Sequence, residues 1–226
     1  MQYLKTLFIG LALSIIPFRT MAQNDNSKTF LALGDSYTIG ESVSENDRWP
    51  VQLAKKLTEM GLNVKSPKII AKTGWRTDDL KKAIIDDFNL ASSYDMVSLL
   101  IGVNNQYQDR PLADYESDFE KLLKTAIDLA GGNKDHVFVV SIPDYGKTPF
   151  GQEKEDIIRK EIDIYNRIGK KISKRYKVKY FNITPISRKA KKRPELVAND
   201  QLHPSGIMYT EWVELMIEDV AKLIKK

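Results

Sequence analysis

Phe30-Leu31-Ala32-Leu33-Gly34-Asp35-Ser36 is an apolar run that breaks at a glycine and presents a serine immediately after the break. Its first residues alternate with no polar face, as expected of a central parallel strand buried on both sides. Near the other end of the chain, Asp200-Gln201-Leu202-His203 places a carboxylate and an imidazole on one tight turn. A serine hydroxyl attacks poorly unless a base takes its proton, and a histidine oriented by a carboxylate is the usual base. Ser36 and His203 are therefore the first pair of candidate reactive residues.

Outward from that strand, the chain reads as strand and helix in alternation. Helix signals follow over Leu53, Ala54, Leu57 and Met60, with Asp47 expected as cap and Gly61 as stop. A second strand near Lys68 to Lys72 leads to Thr73-Gly74-Trp75. Thr77 is then expected to cap a helix that buries Leu80, Ala83, Ile84 and Phe88. A third strand from Asp95 to Ile101 ends in Gly102-Val103-Asn104-Asn105. A helix with Tyr115, Phe119, Leu122, Leu123, Ala126 and Ala130 at helical spacing comes after it.

The fourth strand, Val137 to Ile142, precedes Pro143-Asp144-Tyr145-Gly146 and a long helix striped by Ile158, Ile162, Tyr165, Ile168 and Ile172. A short fifth strand spans Val178 to Asn182. The last helix starts near Gly206 and is expected to bury Trp212, Leu215, Met216, Val220 and Leu223. This order predicts an α/β fold, an open parallel sheet with helices on both faces. In such sheets the working residues gather beyond the carboxyl ends of the strands. Ser36, Gly74, Asn104 and Asp144-Tyr145 all follow such an end.

The chain has 226 residues, a formal charge of +5 and no cysteine. The first twenty-two residues carry Lys5, the apolar run Leu7 to Phe18, Arg19 and the small-residue site Thr20-Met21-Ala22. They read as a cleavable signal peptide, too short for a comfortable membrane span, with residues 23–226 as one domain. A periplasmic or secreted location is expected, with no stable membrane insertion after cleavage. The small charge excess and the lack of any nucleic-acid-binding pattern argue against a nucleic-acid partner. Without cysteine there are no disulfides, thiolate nucleophiles or thiolate metal sites. The basic stretch from Lys170 through Arg193 reads either as a solvated face or as a contact for an anionic polymer or membrane, the first being the simpler.

Of the two histidines, His136 precedes the fourth strand, at the opposite edge of the sheet from Ser36. That leaves His203 as the base. Acyl transfer also needs donors for a developing oxyanion, and the N–H groups of Ser36 and Gly74 and the Asn104 amide can supply them. Gly34-Asp35-Ser36, Gly74, Gly102-x-Asn104 and Asp200-x-x-His203 resemble, in order and spacing, the four blocks of the SGNH hydrolases, the GDSL-type esterase/lipase superfamily. The resemblance implies a three-layer α/β/α, flavodoxin-like sandwich around a five-stranded parallel sheet. It implies Ser36 as nucleophile, Asp200 and His203 as the rest of a triad, and Ser36, Gly74 and Asn104 as oxyanion hole. It implies no metal or organic cofactor. Tyr37 stands where the namesake motif has leucine, and Asn105 where an aspartate is common.

Trp75, Arg76, Gln106, Tyr107, Asp144 and Tyr145 are expected to line the mouth. That mixture suits a small-molecule or glycan ester. Arg76 reads either as a contact for an acidic substrate group or as a structural arginine. Three functions stay open: a serine esterase for short acyl esters, an O-acetyl esterase or acyltransferase on polysaccharide or cell wall, and a catalytically silent carbohydrate-binding relative. Oligomeric state is not legible.

Overall fold

The computed structural model describes residues 26–225, so the expected signal peptide lies outside the described residues. Five strands, β1 (Phe30–Asp35), β2 (Lys68–Lys72), β3 (Met96–Leu100), β4 (Val137–Val140) and β5 (Lys179–Phe181), form one sheet in the order β2-β1-β3-β4-β5. All four pairings are parallel. Leu33 stands opposite Ile70 on one side and Leu99 on the other. The three inner strands are buried along their whole length, as their unbroken apolar runs require, whereas β2 and β5 are partly exposed.

Eight α-helical segments accompany the strands among the described residues: α1 (Ser36–Ile39), α2 (Trp49–Glu59), α3 (Thr77–Asp86), α4 (Val103–Tyr107), α5 (Leu112–Leu129), α6 (Glu155–Arg175), α7 (Thr184–Ser187) and α8 (Gly206–Leu223). From β1 to β2 the chain steps one way along the sheet; from β2 onward every step goes the other way. Parallel crossovers are right-handed, so α2 must cover one face and α3, α5 and α6 the opposite one. Accordingly α2 packs with α8, and α5 with α3 and α6. The result is the three-layer α/β/α sandwich. The reversal opens a crevice between β1 and β3 at their carboxyl ends.

Several local expectations are corrected. Asp47 ends a short 3-10 turn and accepts from Ser44 Oγ at 2.7 Å; Arg48 occupies the cap position of α2. Thr77 is the first residue inside α3 rather than its cap, because Asp79 Oδ2 already accepts the Arg76 N–H at 3.1 Å. Phe88 lies past the end of α3 and is 97 % exposed. Met60 at the end of α2 and Leu215 on the outer side of α8 are exposed as well. In α8 the buried stripe runs through Met208, Trp212, Met216 and Val220, and Leu215 falls off it. The third, fourth and fifth strands are each shorter than expected.

At the end of β1 two adjacent residues set the geometry of the turn. A Cβ on Gly34 would sit 2.1 Å from Thr38 Oγ1 and 2.6 Å from the Leu100 carbonyl, so α1 folds back directly over the strand only because Gly34 has no side chain. Asp35 caps α1, its Oδ1 accepting the Tyr37 N–H at 3.0 Å, and it is fully buried. Burial pushes its carboxyl from 3.8 up to about 7, against the hydrogen bond from the Tyr37 amide.

Gly34→Ala is expected to destabilise the fold by about 2–3 kcal/mol, read as a lower urea midpoint at unchanged slope. An unaltered midpoint would show that α1 can move away without loss. For Asp35 the folded pKa lies above the unfolded one. Between roughly pH 4 and 7 the native state therefore binds more protons, and stability falls as pH rises through that window. Asp35→Asn keeps a capping oxygen and removes the charge. Its melting temperature should exceed that of the wild type at pH 8, with the gap closing towards pH 4. An equal gap at both pH values would contradict a raised Asp35 pKa.

Candidate active site

Ser36 opens the single turn α1, which Gly40 closes in the left-handed conformation (φ 70°), its N–H returning to the Ser36 carbonyl. The serine thus sits at the apex of a sharp strand-to-turn corner, at the crevice beside β3. It is 4 % exposed and His203 is 7 % exposed, and both face one cavity of about 250 Å³.

The Asp200–His203 turn is built by its own polar groups. Ala198 N–H donates to the His203 carbonyl at 2.8 Å, and Gln201 takes a left-handed φ of 64°. Asp200 Oδ1 accepts the Leu202 and His203 amides at 3.0 and 2.9 Å. Asp200 Oδ2 lies 2.6 Å from His203 Nδ1 and accepts the Ser42 hydroxyl at 2.6 Å. Partial burial would raise the Asp200 carboxyl, but these donors from Ser42, His203 and the turn amides outweigh it and hold it at about 2. The carboxylate is therefore ionised at neutral pH and accepts the Nδ1–H of the imidazole. That leaves the Nε2 lone pair as the free acceptor. The Tyr37 ring packs against the imidazole, centroids 5.5 Å apart.

Gly74 follows β2 with φ 82°, exposed, with nothing within 4 Å of where a Cβ would stand. Three contacts stitch its loop to α4. Asn104 Nδ2 donates to the Trp75 carbonyl at 2.9 Å, Gln108 Nε2 to the Gly74 carbonyl at 3.3 Å, and Asn105 pairs with the Thr77 N–H and hydroxyl at 3.1 and 2.9 Å. Asn105 makes this double contact with one acceptor, Oδ1 to the amide, and one donor, Nδ2 to the hydroxyl. Asn104 retains a second amide proton.

Five segments wall the cavity: Ser36 and Tyr37 after β1, Thr73 and Gly74 after β2, Val103, Asn104, Tyr107 and Gln108 on or beside α4, Tyr145 and Phe150 after β4, and Leu202 with His203. Of the residues expected from the sequence, Ser36, Gly74, Asn104, Tyr107, Tyr145 and His203 come together here, with Asp200 directly behind the histidine.

Four expected mouth residues do not line it. Trp75 presents its carbonyl to Asn104 and packs partly buried against the core. Arg76 is occupied by Asp78 at 2.9 Å, Asp79 at 3.5 Å and Gln108 at 2.8 Å, which makes it a structural arginine. Gln106 is buried and donates to Glu161 at 2.7 Å. Asp144 is buried between the Gly146 amide at 3.0 Å and Arg188 Nε at 2.9 Å.

The sequence reading missed Phe150, five residues after Tyr145 in the same glycine- and proline-rich loop. It is half exposed, and its ring centroid lies 6.1 Å from that of Tyr107 and 6.3 Å from that of Tyr145. Tyr107 and Tyr145 are themselves 6.1 Å apart, so the three rings form one aromatic wall. Burial pushes the Tyr145 phenol up to about 12, which keeps it neutral. Among the described residues no His, Cys, Asp and Glu cluster is arranged to hold a metal ion.

Comparison with known proteins bears on the fold and the family. A search of curated proteins returns no match. Among solved structures, TesA superposes with a TM-score of 0.67 at 14 % identity, over 87 % of this chain and 99 % of its own. The acetylxylan esterase of Geobacillus stearothermophilus gives 0.67 at 20 % identity, over 85 % and 94 %. The lipase/acylhydrolase from Enterococcus faecalis gives 0.66 at 19 %, over 86 % and 96 %. At these identities the structural likenesses speak for the fold. The model of the GDSL-like lipase/acylhydrolase family, however, matches residues 32–210, from inside β1 to the first turns of α8. The chain belongs to the GDSL-like lipase/acylhydrolase family and is a carboxylic ester hydrolase.

Proposed function

We propose that the protein hydrolyses short-chain acyl esters by a double displacement on Ser36. The observation that carries this reading is the 2.6 Å contact between Asp200 Oδ2 and His203 Nδ1, with the histidine and Ser36 facing one cavity. His203 Nε2 takes the Ser36 proton as Oγ attacks the ester carbonyl. Asp200 holds the tautomer and stabilises the imidazolium that forms. The oxyanion rests on the N–H groups of Ser36 and Gly74 and on the second amide proton of Asn104. Collapse expels the alcohol, which receives the proton from Nε2. Water, activated by the same nitrogen, then releases the acid and restores Ser36.

A cavity of about 250 Å³ favours a small acyl group. The wall of Tyr107, Tyr145 and Phe150 favours, as second reading, an acyl group carried on a sugar, because the apolar face of a pyranose packs well on aromatic rings. The likeness to an acetylxylan esterase is consistent with that reading. We propose in addition that residues 1–22 direct export to the periplasm or beyond and are then removed.

With p-nitrophenyl acetate, Ser36→Ala and His203→Ala should each lower kcat/KM at least about 10³-fold, and the double variant should be little worse than either. Rates equal to wild type in both would sink the assignment. Turnover should fall from acetate to butyrate to longer esters; a rise would move the substrate class to lipids. No turnover by any form, together with failure of a fluorophosphonate to label Ser36, would leave a silent carbohydrate-binding relative. After expression in a bacterial host with intact export, N-terminal sequencing should find Gln23 first. A chain starting at Met1 in the cytoplasm would refute export.

A further inference from the structure

The loop after the nucleophile turn carries two adjacent side chains that reach in different directions. Glu41 receives the hydroxyl of Thr73, the residue before Gly74. Ser42 donates its hydroxyl to Asp200 Oδ2 at 2.6 Å across 158 positions of sequence. One short segment, leaving the turn that begins at Ser36, is thereby tied to the oxyanion glycine's loop and to the Asp200–His203 turn. Ser42 holds a left-handed φ of 65°, an uncommon state for a residue with a side chain. That backbone conformation is kept where the hydroxyl meets the carboxylate.

Both side-chain donors to Asp200, Ser42 Oγ and His203 Nδ1, share Oδ2, while two backbone amides occupy Oδ1. The carboxylate plane is fixed at both oxygens, and with it the tilt of the imidazole. We propose that Ser42 is a positioning residue for the ester-hydrolysis site, its hydroxyl orienting the Asp200 carboxylate and through it the His203 ring. The proposal rests on the reading of Ser36, His203 and Asp200 given above. The groups that face Asp200 are His203 on its own turn, Ser42, and the buried Tyr209 of α8, close enough to feel its charge.

Two variants separate the hydroxyl from the backbone. Ser42→Gly removes the hydroxyl and relieves the left-handed conformation; Ser42→Ala removes the hydroxyl and keeps the strain. In both, kcat for p-nitrophenyl acetate should fall about tenfold with KM within about twofold, the signature of an interaction made in the transition state. In both, the Asp200 carboxyl, followed by carbon-13 NMR, should titrate above its position near 2 in the wild type. Near-UV circular dichroism of the glycine variant should match wild type.

Wild-type kcat and an unmoved Asp200 titration in both variants would overturn the proposal. So would impairment of the alanine variant alone, which would assign the effect to backbone strain. The NMR readout needs no turnover, so the two failures stay apart. Ser36→Ala active at the wild-type rate removes the underlying reading. Inactive Ser36→Ala beside fully active Ser42 variants removes only the role of Ser42.

Discussion

A buried strand can satisfy its backbone only by pairing with a strand on each side, and in this protein all those neighbours run the same way, which decides where chemistry can occur. β1, β3 and β4 have no exposed residue, so their amides and carbonyls must pair within the sheet. Their carboxyl ends then share one edge. Because the sheet is wound outward in both directions from β1, the loops leaving β1 and β3 diverge to opposite faces and leave the crevice that Ser36 and Asn104 border.

What happens above that edge depends on polar contacts more than on apolar burial. The Gly74 loop and α4 are joined through Asn104, Asn105 and Gln108, and the Asp200 turn folds on its own carboxylate. Such contacts are short-range and directional, so they fix orientation where a hydrophobic contact would only fix proximity. The arrangement suits a site whose donors must be aimed before substrate arrives.

The sheet and the amphipathic helices were legible because their signal is local. The stripe of α6 or the run of β1 needs no knowledge of what lies opposite. Ser36, Gly74, Asn104, Asp200 and His203 were legible because each sits at a strand end or in a tight turn of unusual composition. Phe88 and Leu215 misled because helical spacing says which residues share a face, without saying where a helix stops or which of two flanking positions the core reaches. Asp144, Gln106 and Arg76 misled for a different reason. Each is close in sequence to a site residue, but its side chain answers to a group far along the chain: Arg188 for Asp144, Glu161 for Gln106, and Gln108, besides the neighbouring Asp78, for Arg76. The distant partners leave no mark in the local pattern. The pairing of Ser42 with Asp200 is invisible for the same reason.

The aromatic wall has a thermodynamic consequence. Tyr107 and Phe150 keep 55 % and 50 % of their surface in contact with water. Any ligand that covers these rings dehydrates apolar surface on arrival, and the heat capacity of the system falls. The enthalpy of association then becomes more favourable as temperature rises, while the entropic share shrinks. A ligand that stays among Ser36, Gly74 and His203 and never touches the rings covers less apolar surface and changes the heat capacity less, so the temperature dependence of the binding heat reports how far a substrate extends beyond its ester group.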